Sequence, residues 1–117
     1  MAATILIQSH APQPPAWLRA CLDSVADWAA ANGVAHRVDG DGFLERVPAR
    51  LRAQAHGRTQ VIADLARLDW IAGLLADGWD RVIWLDADVV VAAPARLTAA
   101  LRLPASGYLF GREIWVQ

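Results

Sequence analysis

The sequence predicts an α/β fold, a mostly parallel sheet with helices on both faces, and three observations predict it. Two short apolar runs, Thr4-Ile5-Leu6-Ile7-Gln8 and Arg81-Val82-Ile83-Trp84-Leu85, have the continuous hydrophobicity of strands buried on both sides. Stretches of helical period separate the strand-like runs, and strands that alternate with helices are joined by crossovers into parallel sheets. The 117 residues, 56% hydrophobic and 20% charged, suffice for one domain spanning residues 1–117 and exclude a disordered tail, which lacks apolar surface to offset chain entropy.

In chain order, the first strand ends before Pro12, Pro14 and Pro15. From Ala16, the residues Trp17, Leu18, Cys21, Leu22, Val25 and Trp28 share one helical stripe, with Pro15 suited to the first turn and Asn32-Gly33 to a left-handed stop. Val34 to Val38 alternates as a strand, with His36 half-exposed in it, and Asp39-Gly40-Asp41-Gly42 is turn chemistry. Phe43 to Arg58, interrupted by Pro48, reads as a loop or broken helix whose Arg46, Arg50, Arg52 and Arg58 form a solvated basic face, with a role at an anionic substrate as the alternative. Thr59 is placed to cap the next helix, whose apolar positions Val61, Leu65, Leu68, Ala72 and Leu75 predict its buried face. The third strand follows Asp77-Gly78, and extended chain continues through Val89 to Val91. Pro94 introduces a short helix near Leu97 to Leu101, and Gly107 to Phe110 and Glu113 to Val116 read as further strands. Trp17, Trp28, Trp70 and Trp84 are assigned to the core, and Trp79 to packing of a turn.

Charge and cysteine content exclude several functions. The formal net charge is -1, with eleven basic residues, every one arginine, against twelve acidic, so no basic field steers nucleic acid. The single Cys21 rules out a disulfide framework and a cysteine-rich zinc site, and His10, His36 and His56 lack metal-ligand spacing. No apolar stretch reaches membrane-spanning length, and the N-terminus does not read as a secretory signal, so the expected compartment is the cytoplasm. A mean hydropathy of +0.25 is high for a small self-contained domain. Together with the apolar stretch Glu113-Ile114-Trp115-Val116-Gln117, it predicts part of a larger unit, or association through the C-terminal region.

The sharpest feature is Val82-Ile83-Trp84-Leu85-Asp86-Ala87-Asp88-Val89-Val90-Val91. In extended backbone, Asp86 and Asp88 point to the same side at the carboxyl end of a strand, where open α/β sheets bind ligands. Two carboxylates so placed suit a hard divalent cation, Mg²⁺ or Mn²⁺, with substrate phosphates completing the shell. The plainer reading is an exposed turn in which Asp serves turn propensity.

Ile62-Ala63-Asp64-Leu65-Ala66-Arg67-Leu68, followed by Leu75-Ala76-Asp77-Gly78-Trp79-Asp80-Arg81-Val82-Ile83-Trp84-Leu85-Asp86-Ala87-Asp88, resembles nucleotide-sugar glycosyltransferases of the GT-A fold. Those enzymes carry an Ala-Asp-x-x-Arg-type helix leading into a strand that ends in Asp-x-Asp. The resemblance implies a Rossmann-type GT-A sandwich, here its N-terminal, nucleotide-sugar-binding portion. It implies a metal-dependent transfer of sugar from a nucleoside diphosphate sugar, a uridine diphosphate sugar favoured, to an acceptor the sequence does not identify. Carried over position by position, Asp88 binds the metal, and Asp86 reaches the metal or the donor's ribose and sugar. Asp64 and Arg67 contact the donor sugar and its phosphate, and Gln8, Ser9 and His10 lie where the nucleotide is held. On residue type and spacing alone, Asp64 and Arg67 read rather as a surface ion pair on an amphipathic helix.

Two other readings stand beside this one. In the resembling family the third metal ligand and the acceptor pocket come from the second half of the fold, so the chain also reads as a catalytically incomplete nucleotide-sugar-binding or interaction domain. Asp86-Ala87-Asp88-Val89-Val90 also satisfies the first motif of haloacid dehalogenase-like phosphatases. That motif normally lies on a first strand and needs a later lysine, and this chain has no lysine.

Overall fold

The computed structural model describes residues 3–40, 42–102, 106–112 and 114. Its centre is strand β1, Thr4–Ser9, in which Thr4 to Gln8 are buried. Successive side chains of a strand face opposite ways, and both faces of β1 are covered. Ile5 and Ile7 join Phe43, Val47, Ala66, Trp70 and Leu74 on one side. Leu6 joins Val25, Trp28, Ala29 and Val34 on the other. Burying Ile5, Leu6 and Ile7 stabilises the fold by about 1.5–3 kcal/mol each.

Helix α1, Ala16–Ala31, leads from β1 to strand β2, Ala35–Asp39. The chain leaves α1 through Asn32, whose backbone N–H reaches Trp28 and Ala29 carbonyls, and through Gly33 at φ 66°, a left-handed turn that glycine adopts without strain. A 3-10 turn, Phe43–Arg46, and helix α2, Ala49–Gln54, then lead to helix α3, Thr59–Ala76. Pro48 separates the first two because its ring cannot continue a helix but suits the start of one. Strand β3, Arg81–Trp84, and helix α4, Pro94–Ala100, complete the described elements.

The described sheet has the order β2-β1-β3, and both pairings are parallel. Ile5 lies opposite Ala35 and Val82, and Gln8 opposite Val38. The fold is therefore α/β, with a three-stranded parallel sheet between a layer built on α3 and the 3-10 turn and a layer built on α1. Among the described residues no helix is long and apolar enough to cross a membrane.

Several sequence expectations are corrected. The buried face of α3 is Ala66, Trp70 and Leu74, with Ile62, Ala63 and Ile71 packed beside them. Val61, Leu65, Leu68, Ala72 and Leu75 face outward. The helix is apolar nearly all round, so two stripes share one period. The stripe with small residues that admit a close approach, and an indole that reaches Phe43, faces the sheet. Arg58, not Thr59, holds the N-cap position of α3, and no side chain caps it. Trp17 is 63% exposed although it lies three turns before the buried Trp28 on the same stripe, because the first turn of α1 lies at the mouth of a cleft.

Arg46 is only partly solvated. It pairs with Asp39 at 2.7 Å and lies over the Trp70 ring, 4.3 Å from its centre. Val89 to Val91 and Gly107 to Phe110 form no strand. Of the strand expected over Glu113 to Val116, all but the exposed Ile114 lies outside the described residues, as does Asp41 of the expected turn.

Candidate functional site

The chain leaves the carboxyl end of β1 for β2 on one side, then returns to β3 on the other. The point between β1 and β3 is thus a topological switch point, where crevices form in open α/β sheets because successive connections diverge to opposite faces. A cleft of about 390 Å³ opens there. Ser9 and His10 bring the end of β1 to it, Trp84, Asp86, Ala87 and Asp88 the end of β3, and Gln60, Ala63, Asp64 and Arg67 the first half of α3.

Six of the seven residues expected at the site therefore line one cavity: Ser9, His10, Asp64, Arg67, Asp86 and Asp88. Gln8 does not. It is wholly buried, its Oε1 2.8 Å from His36 Nε2 and its Nε2 donating to the Asp86 carbonyl at 3.4 Å. Burial lowers the pKa of His36, because desolvation disfavours the imidazolium.

Asp86 and Asp88 reach the cleft differently from the expectation. The strand ends at Trp84, and Ala87-Asp88 form a turn closed by the Val89 N–H donating to the Asp86 carbonyl at 3.1 Å. The plainer reading, an exposed turn, thus describes the backbone, and Asp is common at its first position. The turn nonetheless carries both side chains to the cleft wall. Among the described residues neither carboxylate has an arginine partner. Asp86 Oδ1 accepts the Trp84 indole N–H at 2.8 Å, and the Asp88 side chain has no bond among the described residues.

Asp64 and Arg67 pair at 3.3 Å, one turn apart on α3. With both side chains partly in water, that pair contributes less than about 1 kcal/mol to stability. Its effect is on position. Arg67 is held with its guanidinium carbon 5.6 Å from the centre of the Trp84 ring. Trp84 in turn stacks on Phe43 at 5.6 Å, and Phe43 meets Trp70 at 6.1 Å. Rings thus run unbroken from the core to the cleft. Three carboxylates, Asp64, Asp86 and Asp88, face one guanidinium, Arg67, so the wall carries a surplus of two negative charges. Such a wall attracts a cation and repels a bare anion. His10 Nδ1 donates to the Ala11 carbonyl at 2.6 Å, which leaves Nε2 as the ring's free acceptor in the neutral form.

No family model, curated protein or solved structure matches this chain.

Among the lining residues that residue patterns did not assign to the site are Trp17, Phe43, Gln60 and Trp84. Phe43 was hidden in an irregular segment, and Trp17 and Trp84 in the expected core. The usable signal for Trp17 was its place in the first turn after β1, since helices entering from a strand's carboxyl end begin at the ligand-binding rim. Gln60, four residues before Asp64, donates to it at 3.3 Å, a contact its spacing predicts.

Proposed function

We propose that the cleft binds a nucleoside diphosphate sugar together with a divalent cation, Mn²⁺ or Mg²⁺, and forms the donor-binding half of a glycosyltransferase. The observation that carries the reading is the pair Asp86 and Asp88, two carboxylates without arginine partners among the described residues, at the switch-point cleft. Hard oxygen donors suit such a cation. The described residues supply two of them and no cluster of three, so phosphate oxygens and water would complete the shell.

In the transfer, the bond from the sugar's anomeric carbon to the phosphate oxygen breaks and a bond to an acceptor oxygen forms. The electron pair leaves with the nucleoside diphosphate, and the acceptor's proton passes to solvent water. A bound cation supplies Lewis-acid stabilisation of that leaving charge. Arg67, fixed by Asp64 and facing Trp84, adds positive charge in a set position. The exposed indole of Trp17 offers apolar surface for a ring. The negative surplus of the wall makes the cation a precondition for the diphosphate.

Calorimetric titration of a uridine diphosphate sugar with and without Mn²⁺ tests this. Binding is expected only with the metal. Asp88→Asn is expected to weaken it about a hundredfold, ~2.7 kcal/mol, with the melting temperature unchanged. Equal affinity with and without Mn²⁺, or in Asp88→Asn, overturns the reading. Sugar transfer assigns the complete activity to this chain, and tight binding without transfer assigns donor binding alone.

A further inference from the structure

Asp86 and Asp88 occupy the same turn but are held very differently. Asp86 is fixed at both ends. Its carboxylate accepts the Trp84 indole N–H at 2.8 Å, and its carbonyl accepts both the Val89 N–H at 3.1 Å and the Gln8 amide at 3.4 Å. A carbonyl only accepts, so the Gln8 NH₂ must face Asp86 and its oxygen must face His36. His36 Nε2 therefore carries the hydrogen of that 2.8 Å bond. The donors themselves are immobilised. Trp84 is stacked on the buried Phe43, with Arg67 on its ring, and Gln8 is wholly buried in the central strand beside Leu6 and Ile7. A buried amide costs stability unless its hydrogen bonds are made, and both ends of Gln8 are engaged.

We infer that Trp84 and Gln8 are positioning residues that preset Asp86, leaving its Oδ2 available to a cation, while Asp88 completes the pair from the freer end of the turn. The inference rests on the cation-binding reading and assigns Gln8 a different task from nucleotide contact. Trp84 holds one carboxylate oxygen, so Asp86 offers the other in a fixed direction. Presetting a ligand in this way removes ordering entropy from binding, and partners of metal ligands typically contribute about 10–100-fold to affinity.

Two measurements test it. In the protein labelled with ¹⁵N-tryptophan, Asp86→Ala is expected to move the Trp84 indole N–H resonance, and Asp88→Ala to leave it in place. Mn²⁺ affinity is then measured for wild type, Trp84→Phe, Asp86→Ala and the double variant. Phenylalanine keeps a ring on Phe43, so the fold is retained while the N–H is lost. Trp84→Phe is expected to weaken Mn²⁺ about tenfold when Asp86 is present and to change nothing when it is absent, a coupling that a merely structural role would not give. Gln8→Met with His36→Phe removes that buried pair together, so no polar group is orphaned, and is expected to weaken Mn²⁺ severalfold. An indole resonance indifferent to Asp86→Ala overturns the inference, as does equal Mn²⁺ affinity in wild type and Trp84→Phe. A wild-type chain that takes up no Mn²⁺ overturns the cation reading, and the positioning role falls with it.

Discussion

The protein has a second crevice, of about 320 Å³, between α1 and the approach to α4, lined by Ser24, Asp27, Trp28, Ala31, Asn32, Val91 and Pro94. Its volume nearly matches that of the switch-point cleft, but apart from the exposed Asp27 its polar side chains are bonded within the protein. The Trp28 indole N–H is shared by the Pro94 carbonyl and the Thr98 hydroxyl, both at 3.2 Å. Thr98 reaches Asn32 Oδ1 at 3.0 Å, the Asn32 amide donates to the Trp28 carbonyl, and Ser24 receives the Val91 N–H. These bonds join α4 to α1. In the cleft, by contrast, the side-chain bonds hold ligand-facing groups in place and leave Asp88 and one oxygen of Asp86 without partners among the described residues. Volume alone does not separate a joint from a site; unspent polar capacity does.

That contrast breaks if the crevices respond alike to substitution. Trp28→Phe removes the donor shared by Pro94 and Thr98 and is expected to destabilise the fold by about 2 kcal/mol. That corresponds to a fall of roughly 8 °C in melting temperature, with donor affinity unchanged in calorimetry. A loss of donor affinity with the fold intact would make the joint a site. Arg67→Met keeps the side-chain stem and removes the charge. It is expected to weaken the metal-dependent donor about tenfold, while urea titration shows a stability change below about 1 kcal/mol, as for a partly exposed pair.

The smallest effect concerns His36. Its folded pKa lies below the unfolded value of 6.5 because burial disfavours the charged ring. The unfolded chain therefore binds more protons in that window. The His36 contribution is fully present above pH 6.5 and is lost as pH falls from there through the lowered folded pKa. Urea midpoints measured between pH 7.5 and 5.5 are expected to fall with acidification, and to fall less in His36→Phe.

The same difference between packed and unpartnered regions marks what the sequence made legible. Thr4 to Gln8 reads as a strand because its apolar run leaves no other place for it, and the structure puts β1 at Thr4–Ser9. The limits of α1 follow from Pro15 and Asn32-Gly33, which restrict the backbone whatever packs nearby. The face of α3 was not legible. Leu65 and Leu68 have the same period as Ala66 and Trp70, and the choice depends on shape complementarity with Phe43 and β1, a tertiary property. At the cleft, residue type and position single out Asp86 and Asp88, the family resemblance adds Asp64 and Arg67, and the turn that carries the first two matches the plainer reading rather than extended chain. The hydrogen-bonding role of Trp84 was not legible, since spacing does not tell where an indole N–H is aimed.

Gln8 has one more consequence, for how the chain finds its fold. Strand pairing in a run such as Thr4-Ile5-Leu6-Ile7 would tolerate a shift, since the residues are alike in bulk. A shift of one position, however, would turn the Gln8 amide from the Leu6 side toward Phe43 and Trp70, stripped of His36 and Asp86. A bare amide there costs on the order of 1–3 kcal/mol. One polar residue at the end of an oily strand thus penalises misaligned sheets during assembly and selects the alignment with Ala35 and Val82 opposite Ile5.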